Sequence, residues 1–497
     1  MIYDCVVIGA GLSGLASSII LSKNGLKTAL VEKAGKTGPL LRGFRRQGHY
    51  FDTGFHHAGG IAEGSSGRLM LNYLGVSNSL GIVECNPQYV DSVRFKDSSF
   101  EFSFPAGYDN IKARLYEAFP LEIHAIDEYL HEIRSQCSRL PFLNLDADFN
   151  SIKILENIRA ESLNKYLSGL TDDARLKAVI GVHSLLNGVP CEEQGMGNYS
   201  YIVGPYYESV NCIEGGGSAL INALEKAALD NGVDLFLEKD AEKLRFSFSG
   251  DLTGLVFKDG TALECRNIIS TMHPLHILNL VSESMFRSSY VKRIKTLDET
   301  PSAYILYCKS EIDLKDMAGS SIYLLPADGM DFGDCSKPLE DRPANIIIDN
   351  SGQREGKSGQ GFIVILPSLL KEVEDWKDSN RGSRPPEYLA FKEDIKRRIL
   401  NHVTSFYPDL KGKIKAVDLS TPLTLKDYSG SPFGSMYGAK HKIEQYNPFP
   451  ITRIPGLFLA GQSIVAPGLL GTMISAFLAC GSILGHDFIR GELKRWS

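Results

Sequence analysis

The chain has 497 residues, of which 43% are hydrophobic and 23% charged, and its formal net charge at pH 7 is −6. This composition predicts a globular protein of two or three domains and excludes disordered and fibrous classes. The mild acidity gives no general attraction to nucleic acid, so no nucleic-acid partner is expected. The nine cysteines stand singly, without metal-ligand spacing, and are predicted to be reduced and structural, with no metal site.

A dinucleotide-binding motif opens the chain. The apolar run 3–8 predicts a buried parallel strand that leads directly into Gly-x-Gly-x-x-Gly, and a helix is predicted to begin at Leu12. In this motif Gly9 allows the tight turn, Gly11 lets the backbone approach a pyrophosphate, and Gly14 lets the helix pack closely on the strand. The N-terminus of the helix adds a partial positive charge that favours the phosphates.

An acidic residue follows at the distance that a dinucleotide requires. Glu32 ends a second predicted strand, residues 28–31, and its carboxylate can accept hydrogen bonds from an adenosine ribose. A glycine-rich turn in an ordinary βαβ unit would explain the glycines but not the acid. One such motif follows a strand, so we expect one dinucleotide as a resident cofactor. The contacts predicted in this unit are Gly9, Ala10, Gly11, Leu12, Ser13, Gly14 and Glu32.

Three features follow up to residue 190. The basic residues 42–46 predict either a solvated loop or a contact of Arg42 with a pyrophosphate. Residues 93–104 predict a β-hairpin. The region 105–190 is mainly helical, and the apolar stripe over 121–140 predicts a helix that faces the core rather than a membrane.

The second half of the chain predicts more sheet. Gly215–Ser218 opens another helix, and the strands predicted at 233–237 and 267–270 continue the dinucleotide sheet after an insertion. The segment 351–361 is predicted to be a polar surface loop. Apolar runs separated by polar loops predict a second, mostly antiparallel sheet from residues 303–308, 322–326, 345–349 and 362–366.

The dinucleotide unit is therefore interleaved with the rest of the chain. We predict an α/β fold in which a Rossmann-like, FAD-type binding domain with a parallel sheet alternates with a substrate domain of mixed or antiparallel sheet plus helices. The pieces of the first domain are residues 1–75, 210–285 and 450–497. The pieces of the second are residues 76–209 and 286–449, with a helical insertion at 105–190.

One charge-free stretch, residues 454–485, is long enough to cross a membrane. Its glycines and prolines instead predict a buried strand at 457–460, a glycine-rich loop and a buried helix from about Leu470. No signal peptide is expected, because the first predicted strand begins at residue 2, and the predicted location is cytoplasmic.

The same stretch predicts a second cofactor contact. Gly461 and Gln462 follow the strand, and Gly468, Leu469 and Leu470 lead into the helix. Such a strand end beside a helix N-terminus can contact a ribityl pyrophosphate and place amide dipoles near a flavin ring. A nicotinamide enzyme has no need of this second site.

Taken in order, these motifs resemble the flavoprotein family of phytoene desaturases, carotenoid isomerases and retinol saturases. The likeness spans nearly the whole chain and is nearest to the retinol saturase and carotenoid isomerase branch. Besides the N-terminal motif, it rests on Phe51–His56, Gly188–Pro190, Gly216–Ser218, Thr421–Thr424 with Tyr428, Gly434–Gly438 and Gly461–Gly471. The resemblance implies FAD, with further cofactor contacts at Lys33, Arg42 and Ala241. The chain departs from the family where Pro39 follows Gly38, since proline has no amide hydrogen to offer a flavin.

The resemblance also indicates catalytic candidates. His56 follows the Asp-Thr-Gly turn, where the family places residues beside the flavin, and an ordinary histidine pKa of about 6.5 suits proton delivery. The alternative is a hydrogen-bonded structural histidine. Tyr437, between glycines, is a second flavin-facing candidate, and His57 is a weaker one. An apolar tunnel lining, or simple core, is predicted for Tyr201, Tyr206 and Tyr207.

The function implied is that of an FAD-dependent oxidoreductase acting on C–C double bonds of an apolar isoprenoid or polyene, with saturase chemistry favoured over desaturation or redox-neutral isomerisation. The alternatives are a flavin amine oxidase, which paired aromatic side chains facing the flavin would favour, and a non-enzymatic prenyl-binding protein of the GDP-dissociation-inhibitor type. A water-insoluble substrate implies peripheral membrane contact, with the insertion 105–190 as docking surface. The electron donor or acceptor stays open.

Overall fold

Two large sheets organise the computed structural model, which describes residues 2–96, 98–149, 161–314, 317, 321–348 and 360–496. In chain order the strands are β1 Ile2–Ile8, β2 Thr28–Val31, β3 Phe44–Arg46, β4 His49–Phe51, β5 Ala58–Gly59, β6 Ile82–Glu84, β7 Asp91–Phe95, β8 Glu101–Phe104, β9 Val210–Ile213, β10 Asp234–Phe236, β11 Ala241–Phe246, β12 Leu252–Phe257, β13 Ala262–Ser270, β14 Ser302–Ser310, β15 Ser321–Leu325, β16 Ala344–Ile348, β17 Gln360–Ser368, β18 Ile414–Ser420 and β19 Leu457–Leu459. The α-helices are α1 Leu12–Lys23, α2 Ser66–Leu74, α3 Tyr108–Ala118, α4 Ile123–Ser138, α5 Leu163–Leu170, α6 Ala174–Gly181, α7 Met196–Glu208, α8 Gly216–Asp230, α9 Pro274–Leu280, α10 Ser288–Lys295, α11 Pro386–Phe406, α12 Pro422–Ser429, α13 Gly468–Leu484 and α14 His486–Lys494.

The first sheet carries the N-terminal motif at its centre. Strands β10, β2, β1, β13 and β19 pair in parallel in that order, and β12 and β11 extend the sheet antiparallel from the first half of β13. Ile8 lies in register with Val31 on one side and with Ser270 on the other. The parallel strands therefore end at one edge, the carboxyl edge at which α/β sheets bind ligands.

Helices α1, α8 and α13 pack together beside this sheet. Leu15 and Ile19 of α1 and Met473 and Phe477 of α13 are fully buried, as parallel strands covered by helices require. The predicted strand–helix–strand unit is confirmed. The C-terminal helix begins at Gly468, two residues before the predicted start.

The second sheet has the order β18-β14-β17-β16-β15-β7-β8, and every pair except β7–β15 is antiparallel. This confirms the predicted hairpin, as β7–β8, and the mostly antiparallel sheet. The predicted surface loop 351–361 lies almost wholly outside the described residues.

The predicted α/β class is confirmed, and so is the core-facing helix within 105–190. In α4 the stripe residues Ile126, Leu130 and Ile133 are buried against α7 and its neighbours. In the part of the chain that the structure describes, no helix combines the length and the apolar character needed to cross a bilayer.

Candidate functional site

The glycines of the N-terminal motif have three different surroundings. Gly9 has a φ of +97°, and a Cβ added there would overlap Oγ1 of Thr271. A Cβ at Gly14 would overlap the carbonyl oxygen of Gly9, so this glycine is needed where α1 crosses β1. A Cβ at Gly11, the N-cap of α1, would meet nothing within 4 Å. Open space at a helix N-terminus is what a pyrophosphate requires.

Glu32 is fixed at the end of β2 by backbone amides. Its Oε2 accepts from the Ala10 amide and its Oε1 from the Ala34 amide, both at 2.8 Å. The residue is buried, with 7% of its surface exposed. A carboxylate has about four acceptor sites, so two remain for the hydroxyls of a ribose. The geometry suits the predicted role.

The second glycine-rich segment lies directly beside the first. The Gly461 amide donates to Oγ of Ser475 at 2.8 Å, and that oxygen lies 3.1 Å from Oγ of Ser13. The N-terminal turn of α1 and helix α13 are thereby joined. A Cβ at Gly468, the first residue of α13, would meet nothing within 4 Å, so a second helix N-terminus borders open space. These two cradles fit a flavin dinucleotide.

Three further residues are predicted to contact the cofactor, namely Arg42, Lys33 and Ala241. The Arg42 guanidinium is engaged by Glu225 at 3.0 Å and by Thr37, so in this conformation it fastens its loop to α8. Lys33 is exposed, with Nζ beside Gly430. Ala241 begins β11, close in sequence to Lys239, whose amide donates to the Glu32 carbonyl. Their cofactor contacts stay predictions.

A mostly apolar cavity of about 330 Å³ adjoins the second cradle. Residues 464–471 form one wall, helix α7 and residues 57–59 form another, and residues 140–143 and 444–451 complete it. Gln462, next to this wall, accepts at its carbonyl a hydrogen bond of 2.7 Å from Nε2 of His441. Burial lowers the pKa of His441 to about 4, so its ring is neutral.

The two adjacent histidines differ from what the sequence suggested. Burial, with the neighbouring His57, lowers the pKa of His56 to about 3. Burial disfavours the charged ring, so the ordinary pKa that the sequence argument used does not apply to His56 in the folded protein. Whether His56 faces the flavin stays a prediction. His57, ranked lower from sequence, is the one of the pair that lines the cavity.

The tyrosine candidates lie in different surroundings. Tyr201 and Tyr206 line the cavity, whereas Tyr207 is buried in the hydrophobic core beside α4. Tyr437 packs next to Gly188, and burial raises the pKa of its hydroxyl to about 12. Its contact with a flavin stays a prediction.

A buried polar chain leads inward from the cavity. Nε2 of His57 lies 3.1 Å from the Tyr206 hydroxyl, which donates to Oδ1 of Asp91 at 3.0 Å. Oδ2 of Asp91 lies 3.0 Å from Nε2 of His183, and neither of these two side chains has any exposed surface. Sequence reasoning missed both. The available signal was one carboxylate, Asp91, two residues before the predicted hairpin 93–104.

The buried hydrogen-bonded chain continues beyond His183 through three tyrosines. Nδ1 of His183 lies 3.2 Å from the Tyr207 hydroxyl, which lies 2.8 Å from that of Tyr129. The Tyr129 hydroxyl lies 3.2 Å from that of Tyr199, and Tyr199 donates to the carbonyl of Ile180 at 2.6 Å. A buried polar network of this kind holds its members in one arrangement, since each unmet hydrogen bond would be costly.

Comparison with known proteins agrees with this geometry. The pattern of the family described as flavin containing amine oxidoreductase matches residues 12–308. An all-trans-retinol 13,14-reductase of Rattus norvegicus is 25% identical over 97% of this chain and 86% of its own length. A chloroplastic prolycopene isomerase of an Oncidium hybrid cultivar is 22% identical over 95% of this chain and 83% of its own.

Solved structures show the same fold. An oxidoreductase of Methanosarcina mazei has a TM-score of 0.65 at 16% identity, covering 97% of this chain and 99% of its own. The resemblance to the retinol saturase and carotenoid isomerase branch is confirmed by the two relatives. Since the family pattern covers more than half of the sequence, this chain belongs to the flavin containing amine oxidoreductases.

Proposed function

We propose that this chain is an FAD-dependent oxidoreductase that reduces a C–C double bond of an apolar polyene or isoprenoid. The observation that carries the proposal is the mostly apolar cavity walled by residues 464–471, the segment that also forms the second cofactor cradle. The relatives named as retinol reductase and prolycopene isomerase support a polyene substrate. An amine substrate, by contrast, gains little from an apolar wall.

Different residues of the chain would bind the cofactor, orient the substrate and transfer the proton. The amides at the N-termini of α1 and α13 would hold the diphosphate and the ring end of the cofactor, and Glu32 the ribose. FAD, when bound, supplies two-electron chemistry at the double bond. The apolar residues of the cavity orient the substrate and exclude water, and His57 offers the proton-transferring group on its wall.

Two measurements test the proposal. Acid precipitation should release yellow FAD at about one per chain, since no cysteine or histidine is placed as an obvious tether. Under anaerobic conditions, chemically reduced protein should then be reoxidised by a retinoid or carotene that gains two hydrogen atoms, detected by mass spectrometry. A polyene whose geometry changes without mass gain while the flavin stays reduced favours isomerase chemistry. Reduction of the oxidised flavin by amines favours an amine oxidase, and a colourless protein that takes up no FAD favours a prenyl-binding protein.

Replacing Glu32 by alanine should weaken FAD binding. The change removes a charge-assisted hydrogen bond worth roughly 1.5–3 kcal/mol, which corresponds to about tenfold to a hundredfold in Kd. Titration of the flavin-free protein with FAD, followed by fluorescence quenching, measures the effect. Glu238→Ala, a neighbouring carboxylate, serves as control. An equal Kd for the two variants would remove Glu32 from the site.

Peripheral membrane contact follows from a water-insoluble substrate. Within 105–190 the exposed apolar side chains Leu121 and Ile123 stand at the start of α4, while Phe449 and Ile451 are exposed at the cavity wall. We expect the second pair to matter more, because a substrate leaving the bilayer there enters the cavity directly. Sedimentation with liposomes should fall in Phe449→Ser/Ile451→Ser and little in Leu121→Ser/Ile123→Ser. The reverse order would return the docking surface to the helical insertion.

A further inference from the structure

The hydrogen bonds of the buried chain have a fixed direction. The Ile180 carbonyl only accepts, so Tyr199 donates to it, and the single hydrogen of each hydroxyl then obliges Tyr129 to donate to Tyr199 and Tyr207 to donate to Tyr129. Nδ1 of His183 lies 3.2 Å from the Tyr207 hydroxyl at the inner end of this run.

At the other end of this hydrogen-bonded network, Asp91 accepts from a neighbour on each side. Oδ2 of Asp91 accepts from Nε2 of His183, and Oδ1 accepts from the Tyr206 hydroxyl. Because the only hydrogen of that hydroxyl is given to Asp91, the Tyr206 oxygen must accept from Nε2 of His57. His57 is thereby held with its hydrogen on Nε2, which leaves the lone pair of Nδ1 for the cavity.

We propose that His57 is the catalytic residue that carries the proton to the substrate, through Nδ1, and that Tyr206 and Asp91 are positioning residues that fix its ring and tautomer. This inference rests on the proposed function. A base whose second nitrogen is oriented through a hydrogen bond to a buried acceptor is an arrangement known to make a histidine an efficient proton carrier. His57 lines the cavity, and its Nε2 is the ring nitrogen that lies 3.1 Å from the Tyr206 hydroxyl.

The proton step can be written in full. Bound FAD, once reduced, would supply a hydrogen and two electrons to one alkene carbon, and the neighbouring carbon would take the proton from Nδ1 of the doubly protonated His57 ring. The N–H bond breaks, a C–H bond forms, and His57 returns to its neutral form with Nε2 still donating to Tyr206. A solvent hydronium ion then returns a proton to Nδ1 before the next turnover. Burial lowers the pKa of His57, as it does that of His56, but the nearby carboxylate of Asp91 raises the pKa of His57 and so offsets part of the cost of the protonated ring.

Three variants test the proposal. In the FAD-loaded protein, His57→Ala should lower kcat by about a hundredfold to ten-thousandfold, the usual contribution of general acid–base catalysis, and free imidazole should restore part of it. Tyr206→Phe should lower kcat about tenfold, since the ring stays but its tautomer is released. Tyr108 is the control, because its buried hydroxyl donates to α7 but does not belong to the hydrogen-bonded network of His57. Tyr108→Phe should therefore retain full kcat.

A measurement that needs no turnover tests the positioning of His57 separately from its role in catalysis. In the flavin-free protein labelled with ¹⁵N-histidine, the His57 signals, assigned by their loss in His57→Ala, should show hydrogen on Nε2, and Tyr206→Phe should convert them to a mixture of tautomers. Full kcat in His57→Ala, or a His57 tautomer that Tyr206→Phe leaves unchanged, would overturn the inference. If the unaltered protein reduces no polyene while the tautomer behaves as stated, the proposed function fails and the positioning of His57 stands.

Discussion

Replacing Asp91 by alanine is expected to lower the free energy of unfolding by about 1–3 kcal/mol for each of the two buried donors that lose their acceptor. The side chain has no exposed surface and accepts hydrogen bonds from His183 and Tyr206. Without it, two buried donors lose their acceptor and no water can replace it. Thermal unfolding of the holoprotein, read as a shift in Tm, measures the effect.

A matched change on the surface provides the control. Asp328 pairs with Arg175 at 3.0 Å, but both side chains are more than a third exposed. An exposed pair contributes about 0–1 kcal/mol, so Asp328→Ala should shift Tm little. Equal shifts for Asp91→Ala and Asp328→Ala would show that the Asp91–His183 pair does not stabilise the core.

Substitution of Gly14 by alanine is expected to destabilise the protein by about 3 kcal/mol, the upper part of the range for overpacking. The new Cβ would overlap the Gly9 carbonyl oxygen, and backbone at the crossing of α1 and β1 has little freedom to move. Flavin content should fall with it, since this crossing positions the α1 cradle.

Gly11→Ala tests binding of the cofactor separately from the packing of α1 on β1. Its Cβ would enter open space and its backbone, with φ −76°, suits any residue, so the flavin-free protein should melt at an unchanged temperature. Its affinity for FAD should fall, because the methyl group stands where the pyrophosphate approaches. Tm of the flavin-free variants and FAD titration give both quantities. A normal Kd in Gly11→Ala would show that the pyrophosphate lies elsewhere.

Local patterns in the sequence were sufficient to predict the βαβ unit at the start of the chain and the central strands. The spacing of Gly9, Gly11 and Gly14 and the acid at the end of β2 concern the backbone of one βαβ unit, whose geometry follows from short-range sterics and hydrogen bonds. The apolar runs likewise predicted the central strands and the core-facing helix α4, because burial imposes a period on the residues that face the core.

Only the tertiary structure brings the proposed catalytic and positioning residues together. His57, Tyr206, Asp91 and His183 are far apart in the chain and come from a loop, two helical segments and a strand, so no spacing in the sequence relates them. The choice between His56 and His57 likewise depended on which ring reaches the cavity and which carboxylate lies behind it. The pKa of His56 moved away from its ordinary value because burial removes the water around the ring, and burial of one side chain is a property of the whole fold.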